Sequence, residues 1–276
     1  MLRGDFTQKK ENREMCRTKE KKTVFYTDEL NDDFAVTRNQ KAKKITGKYD
    51  YLKDGRPVWK FFRTILYRVI ATPVAFIYML FKGIKIKNRR ALKKIKGGYF
   101  LYGNHTQGAG DAFTPSLLTF PKRANILVSP QAVSIPVVGT LVPLVCGLPV
   151  PSDIAATKHL HKAMQKLLNK KQVMVIYPEA HVWPYYNGIR NFSAASFAYP
   201  FTFGVPAVGF TVTYRQRKIF KNAKPFVTVT VSEPIYPETC ENKREMRDKI
   251  YEFMTATAER EKSFAYIEYV KKEKEE

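Results

Sequence analysis

The sequence predicts an α/β protein, a mixed sheet flanked by helices, preceded by an apolar helical segment suited to a membrane surface. Three observations carry this. Beyond Gly97, short runs rich in β-branched and aromatic residues alternate with stretches of helical character, the pattern of a sheet covered by helices. Just before it, residues 58–81 turn abruptly apolar. The chain has 276 residues and is 44% hydrophobic, enough for one sizeable core.

Residues 1–57 mix basic and acidic side chains with few apolar repeats and read as a polar, basic leader with little packing of its own. From Met1 to Asn12 there is no apolar stretch for a secretory signal to use, so the active part is expected at the cytoplasmic face of the cell membrane. Residues 58–96 form a second unit. Its uncharged part, 69–81, makes a helix of only about 20 Å against the ~30 Å hydrocarbon core. Pro73 should bend it, which favours an interfacial or re-entrant helical hairpin. A full span requires Arg63 and Arg68 to snorkel to the headgroups, and a buried helix of the soluble core is the plainer alternative. Residues 82–96 then carry eight cations and no acid, a composition that attracts anionic lipid at about 1 kcal/mol per basic side chain.

The remainder, 97–276, forms the third unit and holds strand-like runs at 99–103, 125–129, 173–177, 205–214 and 226–232. Ser152 and Asp153 look like the start of a helix that ends in lysines, at the negative end of its dipole. A last helix is expected over 242–262. The net charge of +23 calls for a polyanionic partner. Nucleic acid is not favoured, because zinc-finger spacing, a helix-turn-helix signature and RNP-like strands are all missing from the sequence. Three scattered cysteines, Cys16, Cys146 and Cys240, suit a reducing compartment rather than a disulfide framework or a zinc site.

Between Phe100 and Ser232 stand only three acidic residues, Asp111, Asp153 and Glu179. Asp153 is accounted for as a helix cap, whereas Asp111 and Glu179 follow predicted strands in turns marked by glycine or proline, where catalytic groups collect. His105 follows the run Tyr99-Phe100-Leu101-Tyr102-Gly103, and Asp111 can fold back across Gly108 and Gly110 to bond one imidazole nitrogen, leaving the other as a general base. By spacing alone, a surface histidine with a capping aspartate explains the pair about as well. His159 and His161 lie two apart on a predicted helix, face different ways and cannot share a metal.

The ordered set Asn104-His105 to Asp111, then Tyr177-Pro178-Glu179, then Gly204-Val205-Pro206-Ala207-Val208-Gly209 resembles the motifs of the glycerolipid acyltransferases typified by 1-acylglycerol-3-phosphate acyltransferase. The resemblance covers about half the chain. It implies a glycerolipid-acyltransferase-like fold in which His105 takes a proton from an acceptor hydroxyl, Asp111 orients His105, and the alkoxide attacks an acyl thioester. Asn104, Glu179, His181 and Arg190 are then the candidate substrate-binding residues. No metal or organic cofactor is implied, the cosubstrate being acyl-CoA or acyl carrier protein. The expected partners are membrane phospholipids and a lysophospholipid acceptor, with 1-acylglycerol-3-phosphate leading, in phospholipid biosynthesis. The alternatives are another lipid acceptor or a catalytically silent, membrane-binding relative.

The departures are specific. Five residues separate His105 from Asp111, one more than in the family. Glu179 is followed by Ala180-His181-Val182 where the family has Gly-Thr-Arg, and Arg190 is the candidate for a displaced cation. The family's second motif also ends in an arginine, and none stands around Gly139 or in Gly147-Leu148-Pro149-Val150-Pro151.

Overall fold

The central strand is Tyr99-Phe100-Leu101-Tyr102-Gly103, apolar on both faces and wholly buried, as a strand covered by helices on each side must be. The structure, a computed structural model, describes residues 22–34, 42–53 and 55–272. The Met1 to Asn12 stretch and Cys16 lie outside the described residues, as do 35–41 of the leader. In chain order the strands are β1 (Lys22–Tyr26), β2 (Lys85–Lys87), β3 (Tyr99–Gly103), β4 (Ala124–Val128), β5 (Gly147–Pro149), β6 (Val173–Ile176), β7 (Ala207–Arg215), β8 (Phe226–Val231) and β9 (Ile267–Lys271). Seven of them form one sheet in the order β2-β8-β7-β3-β6-β4-β5. The β7–β8 pair is antiparallel and the others are parallel, so the sheet is mixed.

Alternate side chains of the strands feed two cores. Phe100, Tyr102, Met174 and Ile176 point to one face, where they meet Leu160, Met164 and Leu167 of helix α3 (Ile154–Asn169) and Met246, Ile250 and Met254 of helix α5 (Lys243–Arg260). Tyr99, Leu101, Val173 and Val175 point to the other, against Leu118 of helix α2 (Gly110–Thr119) and Leu92 of a short helix, Arg89–Lys94. Each fully buried Leu or Met contributes about 1.5–3 kcal/mol relative to exposure. A short helix α4 (Ala198–Phe203) ends in a left-handed Gly204 and turns the chain into β7. Both predicted helix starts are formed: Asp153 accepts from the Ala156 N–H at 2.6 Å, and Asn242 caps Arg244 and Glu245.

The apolar segment is one helical run of 25 residues, α1 (Pro57–Phe81), not the expected hairpin. Pro73 does not reverse it, because residues Leu66–Ala71 widen into a π-helical turn and the Thr72 N–H reaches back to Tyr67 O. The turn takes up the proline, which lacks a donor and crowds the carbonyl behind it. Helix α1 lies against α2: Tyr67, Thr72 and Ala75 are buried, and the Tyr67 hydroxyl meets Ser116 Oγ at 3.2 Å and accepts from Ala124 N–H at 3.1 Å. Arg63 is buried beside Asn125 Oδ1, and Arg68 donates to Pro121 O at 2.7 Å, so both arginines face the domain. The other side of the helix exposes Phe61, Phe62, Val69, Ile70, Ile77, Leu80 and Phe81.

The leader packs more than its composition suggested. Ile45, Tyr51 and Leu52 are buried in the α3 core, with the Ile45 N–H on Ser152 Oγ and the Tyr51 hydroxyl on Pro149 O. Strand β1 pairs in parallel with β9, and Tyr26 and Phe34 lie against the buried ring of Trp183. Aromatic side chains, few in number but large in area, supply the burial that a polar composition conceals.

Candidate active site

His105 and Glu179 emerge from neighbouring strands. His105 lies two residues past β3 and Glu179 three past β6, at the carboxyl ends of adjacent parallel strands in the middle of the sheet. Asp111 arrives from the first turn of α2. The five residues between His105 and Asp111 fold into a tight local turn. Gly108 is left-handed (φ +57°), and the N–H groups of Gly110 and Asp111 close successive turns onto Gln107 O and Gly108 O. A Cβ on Gly110 would collide with the Tyr78 hydroxyl of α1, so this glycine lets the helix pass close to the loop.

The result is a contact of 2.6 Å between His105 Nδ1 and Asp111 Oδ2. With a carboxylate on Nδ1, the neutral imidazole carries its proton there and leaves Nε2 as the basic nitrogen. Asp111 Oδ2 also accepts the Gln107 N–H at 3.0 Å. Tyr177 stacks on the imidazole with ring centroids 4.5 Å apart, and its hydroxyl donates to Asp111 O at 2.6 Å. Burial pushes that phenol well above its ordinary range, so it stays protonated and serves as a donor.

Glu179 and Arg190 are buried together. Arg190 Nη2 lies 3.1 Å from Glu179 Oε2, the Arg190 backbone N–H bonds Oε1 at 3.1 Å, and His105 N–H bonds Oε2 at 3.1 Å. The guanidinium also donates to the carbonyls of His181 and Glu29 and lies over the Trp183 ring. Burial pushes the Glu179 carboxyl up, against the opposing pull of Arg190. The pair therefore holds the backbone of His105 in place from behind. Asn104, also buried, bonds the Val212 backbone in both directions, at 2.7 and 3.0 Å, and ties the end of β3 to β7. His181 lies near the front, with Nδ1 3.5 Å from Asp33 Oδ2.

A cleft of about 910 Å³ opens over this set, lined by His105, Asp111, Tyr177 and His181 together with Ile126, Leu127, Val128, Leu160 and Ile176. Of the six residues singled out in the sequence, the structure places His105, Asp111 and His181 on the cleft, while Asn104, Glu179 and Arg190 stand behind it. Sequence reasoning quoted Tyr177 as part of a motif but gave it no role, and it passed over Asp33 altogether. The aromatic directly before Pro178-Glu179 was the available signal for Tyr177; nothing in the leader pointed to Asp33.

No protein-family model matches the chain. No curated protein matches it either. Among solved structures, the crystal structure of the 1-acyl-sn-glycerophosphate (LPA) acyltransferase PlsC from Thermotoga maritima is similar at a TM-score of 0.51, covering 74% of this chain and 79% of that one at 17% sequence identity. The chain shares its fold with that solved acyltransferase. At that identity the likeness concerns architecture, and the chemistry is read from the side chains.

Proposed function

We propose that the chain is an O-acyltransferase that moves a fatty acyl group from a thioester, on CoA or acyl carrier protein, to a hydroxyl of a lipid acceptor at a membrane surface. The observation that carries this reading is the His105–Asp111 contact at the mouth of a largely apolar cleft. In the proposed reaction His105 Nε2 takes the acceptor's hydroxyl proton as the oxygen attacks the thioester carbonyl. The C–O bond forms, the C–S bond breaks, and the imidazolium returns the proton to the departing thiolate. Asp111 steadies the imidazolium, and Tyr177 and the Glu179–Arg190 pair keep both partners in register. The thioester already activates the acyl group, so the scheme needs no further cofactor. The fold it shares with a solved acyltransferase supports the same reading. So does the exposed apolar face of α1, which suits a helix lying in the headgroup region with its domain above it. The leading acceptor from the sequence, 1-acylglycerol-3-phosphate, belongs to the class proposed.

Thiol release from an acyl thioester in the presence of lipid acceptors tests the reaction. General-base assistance is worth about 10² to 10⁴ in rate, so His105→Ala should lose that much turnover while keeping its melting temperature. Unchanged thiol release by this variant would remove the mechanism.

A further inference from the structure

The β-hairpin joining β7 to β8 ends in two large apolar side chains held out from the fold. Ile219 and Phe220 are 74% and 79% exposed. Phe220 also takes a left-handed backbone (φ +59°), unfavourable for a bulky residue and ordinary for glycine or asparagine. Its carbonyl closes the turn by accepting the Ala223 N–H at 2.8 Å. A phenylalanine at that corner costs backbone strain and buries little. Around the pair the charge is of one sign: residues 215–225 hold Arg215, Arg217, Lys218, Lys221 and Lys224 and no acidic residue. Arg217 is fixed at the base of the loop, its Nε donating to Lys224 O at 2.8 Å and its guanidinium 4.0 Å over the Phe226 ring. Lys218, Lys221 and Lys224 are exposed.

The hairpin is rooted beside the end of α1. The Val227 N–H donates to Lys82 O at 3.3 Å, Arg215 Nη2 donates to Gly83 O at 3.1 Å, and a Cβ on Gly83 would strike the Phe226 ring. Lys82 follows directly on Leu80 and Phe81, which are 75% and 78% exposed. The last turn of α1 and the hairpin therefore share one edge of the molecule. Apolar side chains ringed by cations match an anionic bilayer, whose phosphates meet the cations while the apolar groups reach the acyl boundary. A nucleic acid would match the cations but leave the isoleucine without a stacking partner. Resting on the membrane-surface part of the reading above but not on its chemistry, we propose that the β7–β8 hairpin is a second membrane anchor. Ile219 and Phe220 insert into an anionic bilayer, and Lys218, Lys221 and Lys224 bind its phosphates. Two contacts, α1 and the hairpin, fix how the domain is turned on the membrane, which one helix free to roll about its axis does not.

The test is co-sedimentation of the full chain with two kinds of vesicle, phosphatidylcholine alone and phosphatidylcholine mixed with phosphatidylglycerol. Ile219→Ser/Phe220→Ser should weaken binding to the mixed vesicles about tenfold at an unchanged melting temperature, while Phe220→Trp should bind as the wild type does. Lys218→Gln/Lys221→Gln should lose about tenfold or more on the mixed vesicles at low salt and nothing on phosphatidylcholine alone. Wild-type affinity in either double variant, or an equal loss by the lysine variant on both vesicles, overturns the proposal. So does an RNA oligonucleotide whose retention falls with the lysine changes while vesicle binding holds, which would make the partner a nucleic acid. If Phe62→Ser/Leu80→Ser loses binding and the hairpin variants keep it, α1 alone carries the contact and the second anchor fails. A wild-type chain that binds neither vesicle overturns the anchor and the membrane-surface reading together. Thiol release with detergent-dispersed lipids is read separately and decides the chemistry.

Discussion

Arg190 illustrates how a residue's surroundings decide what it can do. A lone arginine in a loop after a motif glutamate reads as a cation for a phosphate; in the structure it neutralises Glu179 inside the protein. Truncating one partner of a buried pair strands the other, at a cost of about 3–5 kcal/mol. Arg190→Met should therefore destabilise the chain by that order in chemical denaturation, and the double variant Glu179→Gln/Arg190→Met should lose much less than the sum of its parts. The pH dependence has a definite sign. A carboxyl whose pKa is raised by folding holds its proton better in the native state, so its contribution to stability falls as pH rises from the ordinary value of 4.5 through the folded value. Without Arg190 that fall should extend to higher pH and become larger in total, which denaturation curves at a series of pH values would record. Ala180, next to Glu179, sits at φ +64°, in the left-handed region that favours glycine.

Helix α1 behaves as an element with two unlike faces. Tyr67, Thr72 and Ala75 bind it to α2 and β4, while its outer face shows water a continuous row of large apolar side chains. At 25 residues it is roughly 37 Å long, enough to cross a bilayer by length, yet it is docked on the domain and its two arginines face inward. That arrangement suits a helix laid on the bilayer rather than threaded through it. Replacing Phe62 and Leu80 by serine should weaken flotation with vesicles by tenfold or more, from about 1.5–3 kcal/mol per buried apolar side chain, with no loss of melting temperature. Vesicle binding that survives both changes would place the membrane contact elsewhere.

On the scale of the whole molecule the charge of +23 is partly spent internally. Within 82–96, Lys87 pairs with Glu261, Lys94 with Glu233, and Arg89 donates to the carbonyls of Leu118 and Phe120. Lys85, Arg90, Lys93 and Lys96 remain exposed at the surface. Attraction to anionic lipid through such side chains is screened over about 10 Å at 0.1 M salt, whereas apolar insertion is not. Raising the salt should release the chain from anionic vesicles down to the level seen with uncharged ones, and co-sedimentation would show it. Salt-independent binding would assign the contact to α1 alone.

The sequence by itself determined the α/β class, five of the seven strands of the central sheet and the caps of α3 and α5, and it singled out His105 and Asp111 as the candidate pair. Each of these rests on local signals: runs of β-branched residues, a capping side chain before a periodic stretch, a histidine just past an apolar strand. The tertiary structure decided the rest. Only the fold could bring His105 and Asp111 within 2.6 Å despite their long spacing, because that depends on a left-handed Gly108 and on α1 passing close to Gly110. Only the fold could turn Arg190 inward and bring Asp33, 72 residues before His105, to the edge of the same cleft. Such placements are contacts between distant parts of the chain, and local pattern carries no record of them.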